Sequence, residues 1–266
     1  MAGSQNITKE KYMALAKYPV VFARLMGLDP DPWQIEVLRS ESQRIILNCA
    51  RQTGKSSIVA LMAIHHAIFE PKSMVIVISH TYSQAAETFK KMVGYYRRYS
   101  HIMPPITAST ETVHRLELDN GSRIITLTGQ RPDSIRGFSG VTLLIVDEAA
   151  QVLDESYYAA RPMLAVSGGR VILLSTPHGK RGFYYGAWSN ETDWHKVEIT
   201  ADQCPRLTKS FLEEERSIFP DWFFMQEYFG FFAEGVSSVF KTDDIDRAFK
   251  EGIYVRDEID LDIDDL

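Results

Sequence analysis

Only two cysteines, Cys49 and Cys204, stand in 266 residues. They are too few and too far apart for a disulfide framework or a thiolate metal site, which points to a reducing compartment. Apolar runs are short as well, and none reaches the roughly 18 residues that a membrane span needs. The opening stretch MAGSQNITKEKYMALAKY has no apolar segment fit for a secretory signal. The sequons at Asn6 and Asn190 then read as chance matches. The seven histidines show no ligand spacing; His65 and His66 are adjacent, so they point to different sides of a helix and pack. There are no internal repeats.

The formal charge of −6 misleads, because residues 243–266 hold ten acids against Arg247, Lys250 and Arg256, a local −7 that leaves +1 for the rest. An acidic total therefore does not exclude a nucleic-acid partner, since a local basic face decides that. A hydrophobic share of 45% with 24% charged residues fits a soluble globular chain with a sizeable core.

Several segments carry clear structural signals. Residues 9–26 are expected to be helical, as is the stretch from the prolines before Trp33 to about Ser40. RIILN, SMVIVISH, VTLLIV and RVILLS are apolar runs without polar alternation, the pattern of strands buried on both faces. The 55–70 stretch and TYSQAAETFKKMVGYYRRY are expected helices. HRLELDNGSRIITLTG reads as a hairpin, with Asn120-Gly121 signalling a type I′ turn. Strands alternating with helices predict an α/β domain with a mostly parallel sheet flanked by helices. From Arg181 onward the aromatic-rich FYYGAWSN and PDWFFMQEYFGFF predict a small subdomain. The expected boundaries are 1–180 for the core, 181–240 for this lid, and 241–266 for an acidic tail.

The stretch CARQTGKSS, Cys49 to Ser57, contains Gly-Lys-Ser, the end of a phosphate-binding loop, but Cys49 stands where such loops open with glycine. An apolar strand ends just before it and an apolar helix begins inside it, as phosphate binding by backbone N–H groups and a helix N-terminus requires. In that frame Gln52, Thr53, Gly54, Lys55, Ser56 and Ser57 line the phosphates. Lys55 reaches the β- and γ-phosphates, Ser56 ligates Mg²⁺, and Gly54 allows close backbone approach. LLIVDEAA delivers Asp147 and Glu148 to the carboxyl end of a strand, the edge where open parallel sheets bind ligands. Asp147 suits Mg²⁺, and Glu148 suits the base that activates water. LLSTPHGK brings Ser175 and Thr176 to the same edge, within reach of the γ-phosphate or its water.

In order, DPWQ, ARQTGKS, LLIVDEAA and LLSTP resemble the ATPase domain of viral large terminases, over about residues 29–240. The resemblance implies a P-loop NTPase fold of the ASCE type, with a small C-terminal lid subdomain, that couples Mg²⁺-dependent ATP hydrolysis to DNA translocation into a procapsid. It places Gln34 near the adenine base with Trp33 close by. It makes Arg51 the loop arginine typical of that family, spreading charge over the phosphates. It makes Arg136 in SIRG a candidate finger reaching a neighbour's nucleotide, with Arg131 as the alternative. The partners implied are double-stranded DNA, portal protein, a small terminase subunit and further copies in a ring, expected to be a pentamer when assembled and a monomer in isolation. No membrane is implied, and the implied location is the host cytoplasm. Full terminases also carry a nuclease domain; the tail is expected to be the linker toward it.

A translocating motor needs phosphate contacts that do not read sequence. Lys90, Lys91, Arg97 and Arg98 recur at seven-residue spacing near Tyr95, Tyr96 and Tyr99, and Arg123 on the hairpin can join them; Arg97, Arg98 and Arg123 are the DNA-binding candidates. DEAA, STP and PWQ are similar to superfamily-two helicase motifs too, but only 90 residues follow Thr176, too few for that group's second motor domain. A nucleotide-gated scaffold without turnover is a further reading, against which Glu148 argues.

Overall fold

The computed structural model describes residues 9–102, 107–189 and 193–234. The acidic tail 241–266 lies outside the described residues. In chain order the elements are α1 (Lys9–Lys17), α2 (Pro19–Leu25), α3 (Pro32–Arg39), β1 (Arg44–Cys49), α4 (Lys55–Phe69), β2 (Met74–Ser79) and α5 (Tyr82–Ile102). Then come β3 (Ala108–Glu111), β4 (Arg115–Leu118), β5 (Arg123–Thr128), β6 (Leu143–Asp147), α6 (Asp154–Ala160), β7 (Arg170–Ser175) and α7 (Gly182–Ser189). The series ends with β8 (His195–Ile199), α8 (Lys209–Ile218) and α9 (Asp221–Phe229).

The eight strands form one sheet in the order β3-β4-β5-β2-β6-β7-β1-β8. From β5 to β8 all neighbours are parallel, and only β3 and β4 run against their partners. Alternate side chains of each central strand feed two cores. Ile45, Leu47, Val75 and Val77 face α1 to α5, whereas Ile46, Ile76, Ile78 and Leu144 face α6, α7 and the β5–β6 loop. Both faces are covered, which is why these strands are apolar throughout. All parallel strands end at one edge. There Ser79 is in register with Asp147, and Asn48 with Ser175.

Two expectations from the sequence differ from the fold. Helix 9–26 is broken at Pro19, whose ring restricts Tyr18 to φ −121°, ψ 81° and starts a new helix. The β4–β5 turn is not type I′, since only Gly121 has positive φ. Leu118 N–H bonds to Ser122 O and Gly121 N–H to Leu118 O, a three-residue loop with glycine in the left-handed position. Asn120 instead uses its amide to cap α4, donating to Ala67 O and Ile68 O at 2.9 and 3.2 Å. Within the 181–240 segment expected as the lid, β8 pairs with β1, and Phe183 and Tyr184 of α7 belong to the main core. A separate small cluster of Phe224 and Tyr228, joined by Leu207, Phe211, Leu212, Phe219 and Phe229, packs α8 against α9 within the segment expected as the lid. The described residues up to Ala233 form a single compact unit.

Candidate functional site

The loop between β1 and α4 sits at the carboxyl edge. It bends through two left-handed residues, Gln52 at φ 59° and Gly54 at φ 90°. The second needs glycine twice over, because a Cβ there would also press Gln34 Nε2 at 3.1 Å. Thr53 is fully buried and donates to Ala50 O at 3.0 Å, which closes the loop on itself. Gln34 Oε1 accepts from Asp31 N–H at 3.0 Å, so its amide nitrogen is the end facing Gly54. Trp33 packs in the core with its Nε1 buried and unpaired.

The centre of the site is a charged cluster between β1, β6 and β7. Lys55 Nζ lies 3.0 Å from Glu148 Oε1 and donates to Thr176 Oγ1 at 3.1 Å. Burial is the largest single influence and pulls the ammonium's pKa down, but the charge and hydrogen bond of Glu148, with the further pull of Cys49 and Asp147, together hold it above the ordinary lysine value. Glu148 adopts φ 54°, ψ 45°. This left-handed backbone costs a non-glycine residue about 1 kcal/mol. The turn brings the carboxylate to both Lys55 and Ser175, whose Oγ is 3.3 Å from Oε2. Asp147 is buried and accepts from Thr88 Oγ1 at 3.2 Å and from Glu148 N–H at 3.1 Å. Burial, then the Glu148 charge, raises its pKa. Ser56 also hydrogen-bonds this carboxylate. A hydroxyl and a carboxylate side by side are hard oxygen donors, the chemistry that Mg²⁺ takes.

The remaining expected site residues are placed as follows. Ser57 is turned away: its hydroxyl bonds Tyr95 of α5, and its amide bonds Gly54 O at 3.1 Å. Arg51 does not lie over the loop. Its guanidinium forms an ion pair with Glu227 of α9, while its N–H donates to Glu227 O at 2.9 Å. A cavity of about 280 Å³ lies there between loop and lid, lined by Arg51, Gln52, Phe211, Glu227 and Tyr228 among others. Arg136 and Arg131 are exposed on the β5–β6 loop, anchored by buried Ile135. Neither side chain has a hydrogen bond or ion pair among the described residues.

The three DNA candidates are not brought together as free cations. Arg97 pairs with Glu111 at 2.7 Å, Arg98 donates to Leu25 O at 3.2 Å and lies over Gly27, and Arg123 is exposed on β5 with its charge felt by Glu117. Tyr96 and Tyr99 face the core. Lys90 and Lys91 are exposed on the outer face of α5. Three site residues were not singled out from the sequence: Asp31, although it opens DPWQ, Arg206 and Glu227. Arg206 binds Asp31 through both terminal nitrogens at 3.2 and 2.7 Å and donates to Thr53 O at 2.9 Å. Each of these contacts joins segments far apart in the chain. An isolated acid in the apolar helix DWFFMQEYF was the only local hint of Glu227.

Comparison with known proteins addresses the family and the fold. The chain is 26% identical over 253 residues to the large terminase subunit of Thermus phage G20c, spanning 82% of this chain and 52% of that protein. The chain thus spans about half the length of that relative. The large terminase ATPase domain of Thermus phage P74-26 superposes with a TM-score of 0.72 at 24% identity, over 80% of this chain and 98% of that one. The large terminase of a thermophilic bacteriophage, solved in complex with ATP-gamma-S, superposes with a TM-score of 0.61 at 14% identity, over 76% of this chain and 53% of that one. The family model described as the N-terminal part of the T4-like-virus-type terminase large subunit matches residues 46–247, most of the chain, which therefore belongs to the terminase large subunit family and has its P-loop fold.

Proposed function

We propose that this chain hydrolyses ATP with Mg²⁺ and that hydrolysis drives double-stranded DNA into a procapsid. The observation that carries the reading is the Lys55–Glu148 pair at 3.0 Å beside Asp147 and Ser56, at the carboxyl ends of β1 and β6, the two strands that flank β7. Lys55 binds the β- and γ-phosphates, and Ser56 with Asp147 holds Mg²⁺, which neutralises phosphate charge. Among the described residues no group of three or more His, Cys, Asp or Glu could hold a metal. Ser56 and Asp147 would hold the ion, and it would offset the charge of a bound triphosphate. Glu148 takes the proton of the attacking water, and Ser175 holds its carboxylate in place. Arg136, exposed and unpaired, supplies transition-state charge to a neighbouring copy in a ring. Partners in assembly are the portal, a small terminase subunit and DNA, and the setting is the host cytoplasm.

The test has two parts. Lys55→Ala abolishes ATP binding or turnover, and Glu148→Gln keeps binding but loses turnover; a glutamine variant at the original rate removes Glu148 as the base. Mixing Arg136→Ala chains with Glu148→Gln chains restores part of the activity in a ring, because one lends the arginine that the other lacks. No restoration in assembled rings assigns the finger elsewhere, with Arg131→Ala the next variant to mix.

A further inference from the structure

Arg206 stands between α8 and the 3-10 turn at Ala201–Gln203, far in sequence from every recognised motif, yet its side chain reaches two of them. Its two terminal nitrogens grip the Asp31 carboxylate at 3.2 and 2.7 Å. This fork-to-carboxylate geometry is available to arginine and not to lysine. Nη2 makes a third contact at 2.9 Å, to the carbonyl of Thr53 inside the phosphate loop. The same nitrogen lies 3.6 Å from where a Cβ on Gly54 would stand, next to Gln34 Nε2 at 3.1 Å. One guanidinium therefore joins the base-side segment, the phosphate loop and the segment leading into the lid.

The geometry points to Arg206 as a positioning residue for nucleotide binding: by holding Asp31 and the Thr53 carbonyl together, it aims the Gly54 N–H into the phosphate loop and sets the base-side Gln34 against that loop. This rests on the ATP-site reading above. The physical step is short. The Thr53–Gly54 peptide is trans, so its C=O and N–H point in opposite directions. A donor fixed on Thr53 O thus turns Gly54 N–H away from Arg206, toward the side where Lys55 enters the site. Asp31 starts the helix that carries Gln34, so the fork also fixes how far the base-side helix stands from the phosphates. Arg206 touches neither the acid pair nor any group of the reacting edge among its bonds, so its effect falls on binding rather than on the chemical step.

The experiment compares wild type, Arg206→Ala, Arg206→Lys, Asp31→Asn and the Arg206→Ala/Asp31→Asn double variant in the full chain. It measures equilibrium binding of a fluorescent ATP analogue and steady-state ATP hydrolysis, with thermal unfolding to confirm folding. Losing hydrogen bonds to a charged donor is expected to raise Kd and KM about tenfold, with kcat within about threefold of wild type. Lysine, which keeps charge without the fork, recovers only part of the loss. Asp31→Asn gives a smaller rise, and the double variant is no worse than Arg206→Ala alone, since both changes break one clamp. Unchanged Kd in Arg206→Ala overturns the proposal, as does a fall in kcat at constant KM. If Arg206→Ala does not fold, full recovery of affinity by Arg206→Lys overturns it. Lys55→Ala, run in parallel, separates the two levels: if it binds ATP like wild type, the ATP-site reading fails, whereas a loss there with no effect at Arg206 sinks only this inference.

Discussion

Replacing Glu148 with glutamine tests more than hydrolysis. In this structure the carboxylate is the counter-ion of a lysine that is almost wholly buried, 3.0 Å away. At that distance, with an effective dielectric of about 20, the direct attraction is about 5 kcal/mol. The amide of glutamine still accepts a hydrogen bond, and Asp147 remains near the ammonium, so the net loss is smaller, about 2 kcal/mol. For a chain of this size that lowers the unfolding midpoint by about 4–8 °C. A phosphate competes with Glu148 for the same ammonium. The variant therefore does not lose that pair when ATP binds, and its ATP affinity rises by up to about 30-fold. Loss of a negative charge beside the phosphates acts in the same direction, but the drop in stability without nucleotide belongs to the ion pair alone. Thermal unfolding without nucleotide, and calorimetric titration of both proteins with a non-hydrolysable ATP analogue, measure the two quantities. A variant as stable as wild type without nucleotide refutes the reasoning, and so does one that binds the analogue no more tightly.

Three further outcomes follow from the same contacts. Burial holds the pKa of His66 at about 4, below the usual 6.5, so it stays neutral in the fold while the unfolded chain gains a proton on acidification. Stability is then full above pH 6.5 and falls by about 3 kcal/mol toward pH 4; His66→Gln flattens that part of a pH series of chemical unfolding curves. Asn120→Ala removes the cap on Ala67 O and Ile68 O and lowers stability by about 1–2 kcal/mol, with ATP turnover at room temperature unchanged. Arg51→Ala leaves buried Glu227 without its cation and costs about 1–2 kcal/mol. Adding Glu227→Gln recovers part of it in a thermal melt, and a simple sum of two losses argues against the pair.

The central strands were readable because nothing polar interrupts them. β1, β2, β6 and β7 each lie between two covered faces, so burial imposes one composition on every position. β3 and β8 lie at the two edges, with exposed or half-exposed alternate positions and the polar sequences ASTE and HKVEI, and neither shows a strand signature in isolation. Aromatic density past Arg181 blurred the lid boundary because Phe183 and Tyr184 fill the main core, as aromatic residues do wherever large volume is needed. The loop and acid pair were readable for a different reason. Their chemistry lies in short contiguous stretches, fixed by one strand end and one helix start. The placements of Arg51 and Arg98 were not, since a long arginine side chain reaches partners set by tertiary packing, here Glu227 and the end of α2.

The pairing of the site's cations also bears on how binding can move the protein. Lys55 is tied to Glu148 on β6, and Arg51 to Glu227 on α9. Each ion pair therefore links the phosphate loop to a different element, one carrying the acid pair and one belonging to the lid. A triphosphate offers both cations an alternative anion. Its binding energy is reduced by the cost of separating the existing pairs, and that difference is what redistributes the molecule between arrangements. Lys55 can exchange partners with little motion, because Glu148 stays on a strand end fixed in the sheet. Arg51 cannot turn to the phosphates without leaving a buried carboxylate uncompensated in the lid. Any such turn therefore needs another donor for Glu227. On this geometry Lys55 ties the loop to the strand end that carries the acid pair and Arg51 ties it to α9, so substitutions at the two cations report on different links.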